Sequence, residues 1–162
     1  MKRADVEMSP RVGERGNSVV ELAVFLVFLG PLLIFGTAEM ATVTYASIEV
    51  ANAAHAGAMY GMVNSTNAAN TSTIQSAAQG EAADFGSNLT VTPTTFYACA
   101  TAQSGTQYST QSAATTACTG TGNHALLFVS VKVSTAVSPP FHVPQLLSSY
   151  TVTGTSVMQV QQ

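Results

Sequence analysis

Few side chains in this sequence could do chemistry. Cys99 and Cys118 enclose residues 100–117, ATAQSGTQYSTQSAATTA, a polar stretch without a histidine. Two thiols so far apart lack the Cys-x-x-Cys spacing of a zinc site, so no metal is expected there. His55, His124 and His142 are scattered, and each reads as a surface or capping residue rather than a ligand. Serine and threonine are too abundant for any one to mark a nucleophile, and there is no Gly-x-Ser-x-Gly elbow. Only 8% of the 162 residues are charged, against about a quarter in an ordinary soluble domain. After Asp84 the only charged residue is Lys132. Acid–base catalysis needs converging ionisable groups, so the composition points away from an enzyme and implies no cofactor. A net charge of -3 also argues against nucleic-acid binding, which needs a basic face.

One carboxylate stands out. Glu21 lies at the head of an uncharged apolar run, residues 22–38, LAVFLVFLGPLLIFGTA. At about 1.5 Å per residue this run reaches roughly 25 Å as a helix, and residues 19–21 extend it toward the ~30 Å of a hydrocarbon core. The sequence therefore predicts a transmembrane segment over about residues 19–38, in contact with membrane lipid. Pro31 lies mid-run beside Gly30, and a kink is expected there. The alternatives are a buried core helix and a cleaved secretory signal, for which Gly36-Thr37-Ala38 offers a small-residue cleavage site. Lys2, Arg3, Arg11 and Arg15 all precede the run. The positive-inside rule then places residues 1–16 in the cytoplasm and everything after about Ala38 beyond the membrane. On the oxidising side of a membrane, two lone cysteines are expected to form a disulfide.

A helical pattern continues past the apolar run. Val43, Ser47, Val50, Ala54, Gly57 and Gly61 step by three and four, a stripe of small and apolar side chains. Small residues permit close approach of another element, either the chain's own domain or another subunit. One helix is predicted over about residues 17–63. Residues 64–162 then form a small exported domain. Ser72-Thr73-Ile74-Gln75 has the pattern of a capping box opening a helix whose face is Ile74, Ala78, Ala82 and Phe85, with Gly86 as its stop. Leu89-Thr90-Val91-Thr92 reads as a strand ending at Pro93. Leu127, Val129, Val131 and Val133 alternate with Phe128, Ser130, Lys132 and Ser134, the clearest strand pattern of the chain. Pro139, Pro140 and Pro144 mark a loop, and residues 150–160 form a last strand or a hairpin about Gly154. The expected fold class is α+β, a long N-terminal helix packed on a small antiparallel sheet. Asn64, Asn70 and Asn88 fit the Asn-x-Ser/Thr pattern, which chance supplies in a sequence this rich in Asn and Thr.

The residues leading into the span are Glu14-Arg15-Gly16-Asn17-Ser18-Val19-Val20-Glu21. A glycine, four residues, then a glutamate entering an apolar helix resembles the processing site of type IV prepilins. The resemblance implies a prepilin peptidase that cuts between Gly16 and Asn17, leaving Glu21 as the fifth residue of the mature chain. A carboxylate inside a membrane segment costs about 2.5–3.5 kcal/mol, and the new Asn17 amine of a neighbouring subunit could offset that cost. The simpler alternative is an interfacial carboxylate favoured by the helix dipole. Further on, Arg15-Gly16, Val20-Glu21, Pro31, Glu39 and Ala56-Gly57-Ala58-Met59-Tyr60 follow one another as in the TadE-like family of tight-adherence pilus proteins, which this stretch resembles. His55 departs from that pattern, standing where the family often has arginine. The resemblance implies a minor pilin or pseudopilin of an Flp-type pilus in a bacterial inner membrane. Glu21 and Pro31 would serve subunit assembly, and other pilin subunits would join through the N-terminal helix. The competing expectation is a membrane-anchored adhesive or ligand-binding module that never enters a fibre.

Overall fold

The computed structural model describes residues 14–103, 105–138 and 149–161, with side chains from Ser18 onward. The leader before Glu14, the proline loop at Pro139, Pro140 and Pro144, and His142 lie outside the described residues. The protein has the expected α+β fold, with a long N-terminal helix packed on a three-stranded antiparallel sheet. The elements are α1 (Glu14–Met62), α2 (Ser65–Ala69), α3 (Thr71–Glu81), a 3-10 segment (Ala83–Asn88), β1 (Thr90–Cys99), α4 (Gln111–Ala117), β2 (Ala125–Val137) and β3 (Tyr150–Gln159). By internal contacts the chain divides into two units that meet inside α1, one ending at Glu39 and one starting at Met40.

In the second unit β2 is the central strand, flanked by β1 and β3. Its alternation works as the sequence predicts. Leu127, Val129, Val131 and Val133 are buried on the face that carries the helices. Phe128, on the other face, is buried as well, because its ring stacks on Phe96 with centroids 5.4 Å apart. Aromatic pairs of this kind add about 0.5–1.5 kcal/mol beyond their burial.

The second half of α1 supplies much of the core. Val50, Ala53, Ala54 and Ala58 are buried against Val129, Val131, Val133 and Val160. The small residues set the distance. A Cβ on Gly57 would lie 3.2 Å from Val131 Cγ1, and one on Gly61 2.9 Å from Val129 Cγ2. The stripe therefore faces the chain's own sheet from Val50 onward. One turn earlier the helix turns Ala46 inward, and Ser47 is exposed.

Three local expectations need correction. The N-cap of α3 is Asn70, not Ser72. The Asn70 side chain accepts from the Thr73 N–H at 3.2 Å and from the Ser72 hydroxyl at 2.9 Å. Asparagine is among the strongest N-cap residues, and Ser72 falls one residue inside the helix. Ile74, Ala78 and Ala82 are buried as expected, and Phe85 packs against them. Gly86 does not end α3, which stops at Glu81; it sits inside the 3-10 segment at φ +50°. Pro93 does not end β1. The strand runs through it to Cys99, with Pro93 opposite Val131. Tyr97 N–H points away from β2, bonding the Tyr108 carbonyl at 2.8 Å. Pro93 has the same parity along the strand, so the donor it lacks would also have pointed outward, where proline is tolerated.

Gly154 resolves the hairpin alternative. It lies mid-way along one uninterrupted β3, opposite Val133. A Cβ there would lie 2.8 Å from the Val50 carbonyl oxygen and 3.0 Å from Ala51 N and Cα. The glycine is where the α1 backbone rests on the sheet.

Candidate functional site

From Leu22 to Ala38 the helix carries no charge and is apolar on all sides. Twelve large hydrophobic residues between Val19 and Phe35 are 46–76% exposed, Phe28 most of all. None of its most apolar 18-residue window is buried, which removes the core-helix alternative. Among the described residues this is the one helix long and apolar enough to cross a membrane. At ~1.5–3 kcal/mol for fully burying each such side chain, moving them out of water is worth on the order of 20 kcal/mol. The Glu21 carboxylate, at about 2.5–3.5 kcal/mol, is a small charge against that gain. Thr37 does not interrupt the apolar surface, because its hydroxyl donates to the Leu33 and Ile34 carbonyls at 2.7 and 3.1 Å.

The residues singled out from the sequence all lie on α1, apart from the cysteines. The backbone of Gly16 and Asn17 falls in its first turn. A peptidase needs an extended strand, so cutting there requires this turn to unwind, and fraying costs least at a helix end. Glu21 is exposed, one turn in from Asn17. Pro31 is exposed and α1 continues through it. It leaves the Val27 carbonyl without its usual helical donor.

The cysteines are joined as expected. Cys99, at the end of β1, and Cys118, at the C-cap of α4, form a disulfide with Cα atoms 5.3 Å apart. Two more contacts tie this loop down. Tyr97 and Tyr108 exchange backbone hydrogen bonds at 2.8 Å, and the Ala100 N–H bonds the His124 carbonyl at 2.9 Å. No group of three or more His, Cys, Asp or Glu could hold a metal among the described residues.

One polar contact was not legible in the sequence. Tyr45 donates to Asp84 Oδ2 at 2.7 Å and so pins α1 to the 3-10 segment. That hydrogen bond, with the Asp84 and Glu49 charges, holds the Tyr45 phenol above its ordinary pKa. The partners are 39 residues apart, and nothing local marks the pair.

Comparison with protein-family models, with curated proteins and with solved structures finds no match.

Proposed function

We propose that the protein is a membrane-anchored, minor pilin-like subunit for assembly of a tight-adherence type IV pilus. Its apolar α1 spans the inner membrane with residues 1–16 in the cytoplasm. The domain from Met40 lies on the far side, possessing a disulfide suited to that compartment. Prepilin peptidase cuts between Gly16 and Asn17, and the mature helix joins other pilin subunits. The observation that carries this reading is the pairing of an uncovered apolar helix with a carboxylate at its head. Insertion alone gives no reason for Glu21, since an apolar residue would enter lipid more favourably. A carboxylate there is explained by a cation to meet, and processing creates one at each neighbour's Asn17. A misaligned pair leaves both charges uncompensated, so the contact sets the axial register between helices.

Glu21→Gln tests this. The variant still inserts and is still cut, but no longer co-purifies with other pilus subunits. If it assembles as well as the parent, Glu21 is an interfacial helix-start residue and its assembly role is wrong.

A further inference from the structure

The two outer strands of the sheet differ in how their free edges are treated. The parity of each strand is fixed by hydrogen bonds. On β1, Tyr97 N–H points away from β2, so residues 91, 93, 95 and 97 turn their backbone groups outward. Three of these four positions are blocked. Gln75 Nε2 donates to the Val91 carbonyl at 3.1 Å, Pro93 has no donor, and Tyr97 is paired with Tyr108. These are the devices by which proteins close a sheet edge.

On β3, Val160 N–H bonds the Leu127 carbonyl at 2.8 Å, so even-numbered residues face β2. Thr151, Thr153, Thr155, Val157 and Gln159 therefore direct their N–H and C=O groups outward. None of these groups has a partner among the described residues. The ten-residue strand has no proline and no charge, and its register with β2 is unbroken. Its helix-side residues Val152 and Met158 are only half-buried, whereas Val129, Val131 and Val133 beside them on β2 are fully buried. The core is unfinished along this edge.

We propose that β3 is a strand-accepting edge, and that its occupant is an uncharged extended segment of a different subunit. The backbone groups fix the conformation of the occupant, because a row of alternating donors and acceptors is satisfied by another strand. The absence of charge fixes its composition, since a Lys, Asp or Glu at an inward position would be desolvated beside Val152 and Met158 with no counter-charge. The path of α1 excludes a second copy pairing β3 with β3. From Val50 to Gly61 the helix passes over Gly154 (opposite Val133), then Val131, then Val129, and so runs parallel to β3. A two-fold β3–β3 pair would set the two helices head to tail. Subunits added in one direction to a fibre all keep one polarity and are not related by a two-fold axis, and this step rests on the function proposed above.

The test is residue-resolved amide exchange on the full-length protein in micelles. The probe is a capped ten-residue peptide of alternating Thr and Val. At saturating peptide, the amides of Thr151, Thr153, Thr155, Val157 and Gln159 should exchange at least about ten-fold more slowly, while the even-numbered amides stay unchanged. Thr155→Pro removes one outward donor, as Pro93 does on β1, and should abolish the effect with the even-numbered amides still protected. Thr155→Lys, which keeps the donor and adds an edge charge, should weaken it too. Three results would overturn the proposal: no slowing at millimolar peptide, protection of the five amides in dilute protein alone, or protection that rises with protein concentration without peptide. An uncut leader would leave this exchange pattern unchanged, so the edge and the processing stand or fall separately.

Discussion

Gly154→Ala puts a methyl group where the structure has helix backbone. The new Cβ would lie 2.8 Å from the Val50 carbonyl oxygen and 3.0 Å from Ala51 N and Cα. All three atoms belong to the α1 main chain, so no rotamer change relieves the clash. Either α1 lifts from β3 by several tenths of an ångström or β3 bends away, and both loosen Val50 and its neighbours in the core. Overpacking of this kind costs about 1–3 kcal/mol, and the conformational gain of Ala over Gly returns roughly 0.5–1 kcal/mol. A net loss of about 1–2 kcal/mol is expected, read as a fall of roughly 3–8 °C in Tm by circular dichroism. Gly80→Ala is the internal control. Gly80 is on α3, where an added Cβ meets nothing within 4 Å. It should gain about 0.5–1 kcal/mol from helix propensity. A Gly154→Ala protein as stable as the parent would refute the close approach of α1 and β3.

Reducing the Cys99–Cys118 bond, which joins residues 19 apart, should cost about 3 kcal/mol by the chain-entropy estimate. Denaturant unfolding with and without reductant measures it, and two free thiols in untreated, denatured protein would contradict the bond. The Tyr45 phenol has a higher pKa in the folded protein than unfolded, so its contribution to stability is full below about pH 10 and lost as pH rises through the folded value. Tyr45→Phe should therefore narrow its stability gap to the parent above that pH, seen in Tm against pH; an unchanged gap would mean the Asp84 contact contributes nothing.

The parts of the fold written in local periodicity were legible. The β2 alternation, the long helix and the burial of Ile74, Ala78 and Ala82 each repeat within a few residues. The disulfide followed from topology and the lone cysteine pair. What the sequence hid depends on partners distant along the chain. Pro93 looks like a strand end until β1 is known to be an edge strand with that position turned outward. Gly154 looks like a turn until α1 is seen lying across it. Asn70 and Ser72 are both good caps by type, and two residues of helix phase decided between them. At the candidate site the apolar span was plain, since it is a property of composition. The Tyr45–Asp84 contact was invisible, because it joins residues on separate elements. The open edge of β3 was equally hidden, since backbone direction is unreadable without the register.

The N-terminal mass of the protein purified from native membranes tests the central claim most directly. Processing as proposed predicts a mature chain that begins at Asn17 and keeps its apolar helix, and replacing Gly16 by a bulky residue should restore the full-length form. An intact Met1 terminus in cells that build the pilus machinery would contradict the account, and a terminus at Glu39 would mark residues 22–38 as a cleaved secretory signal instead.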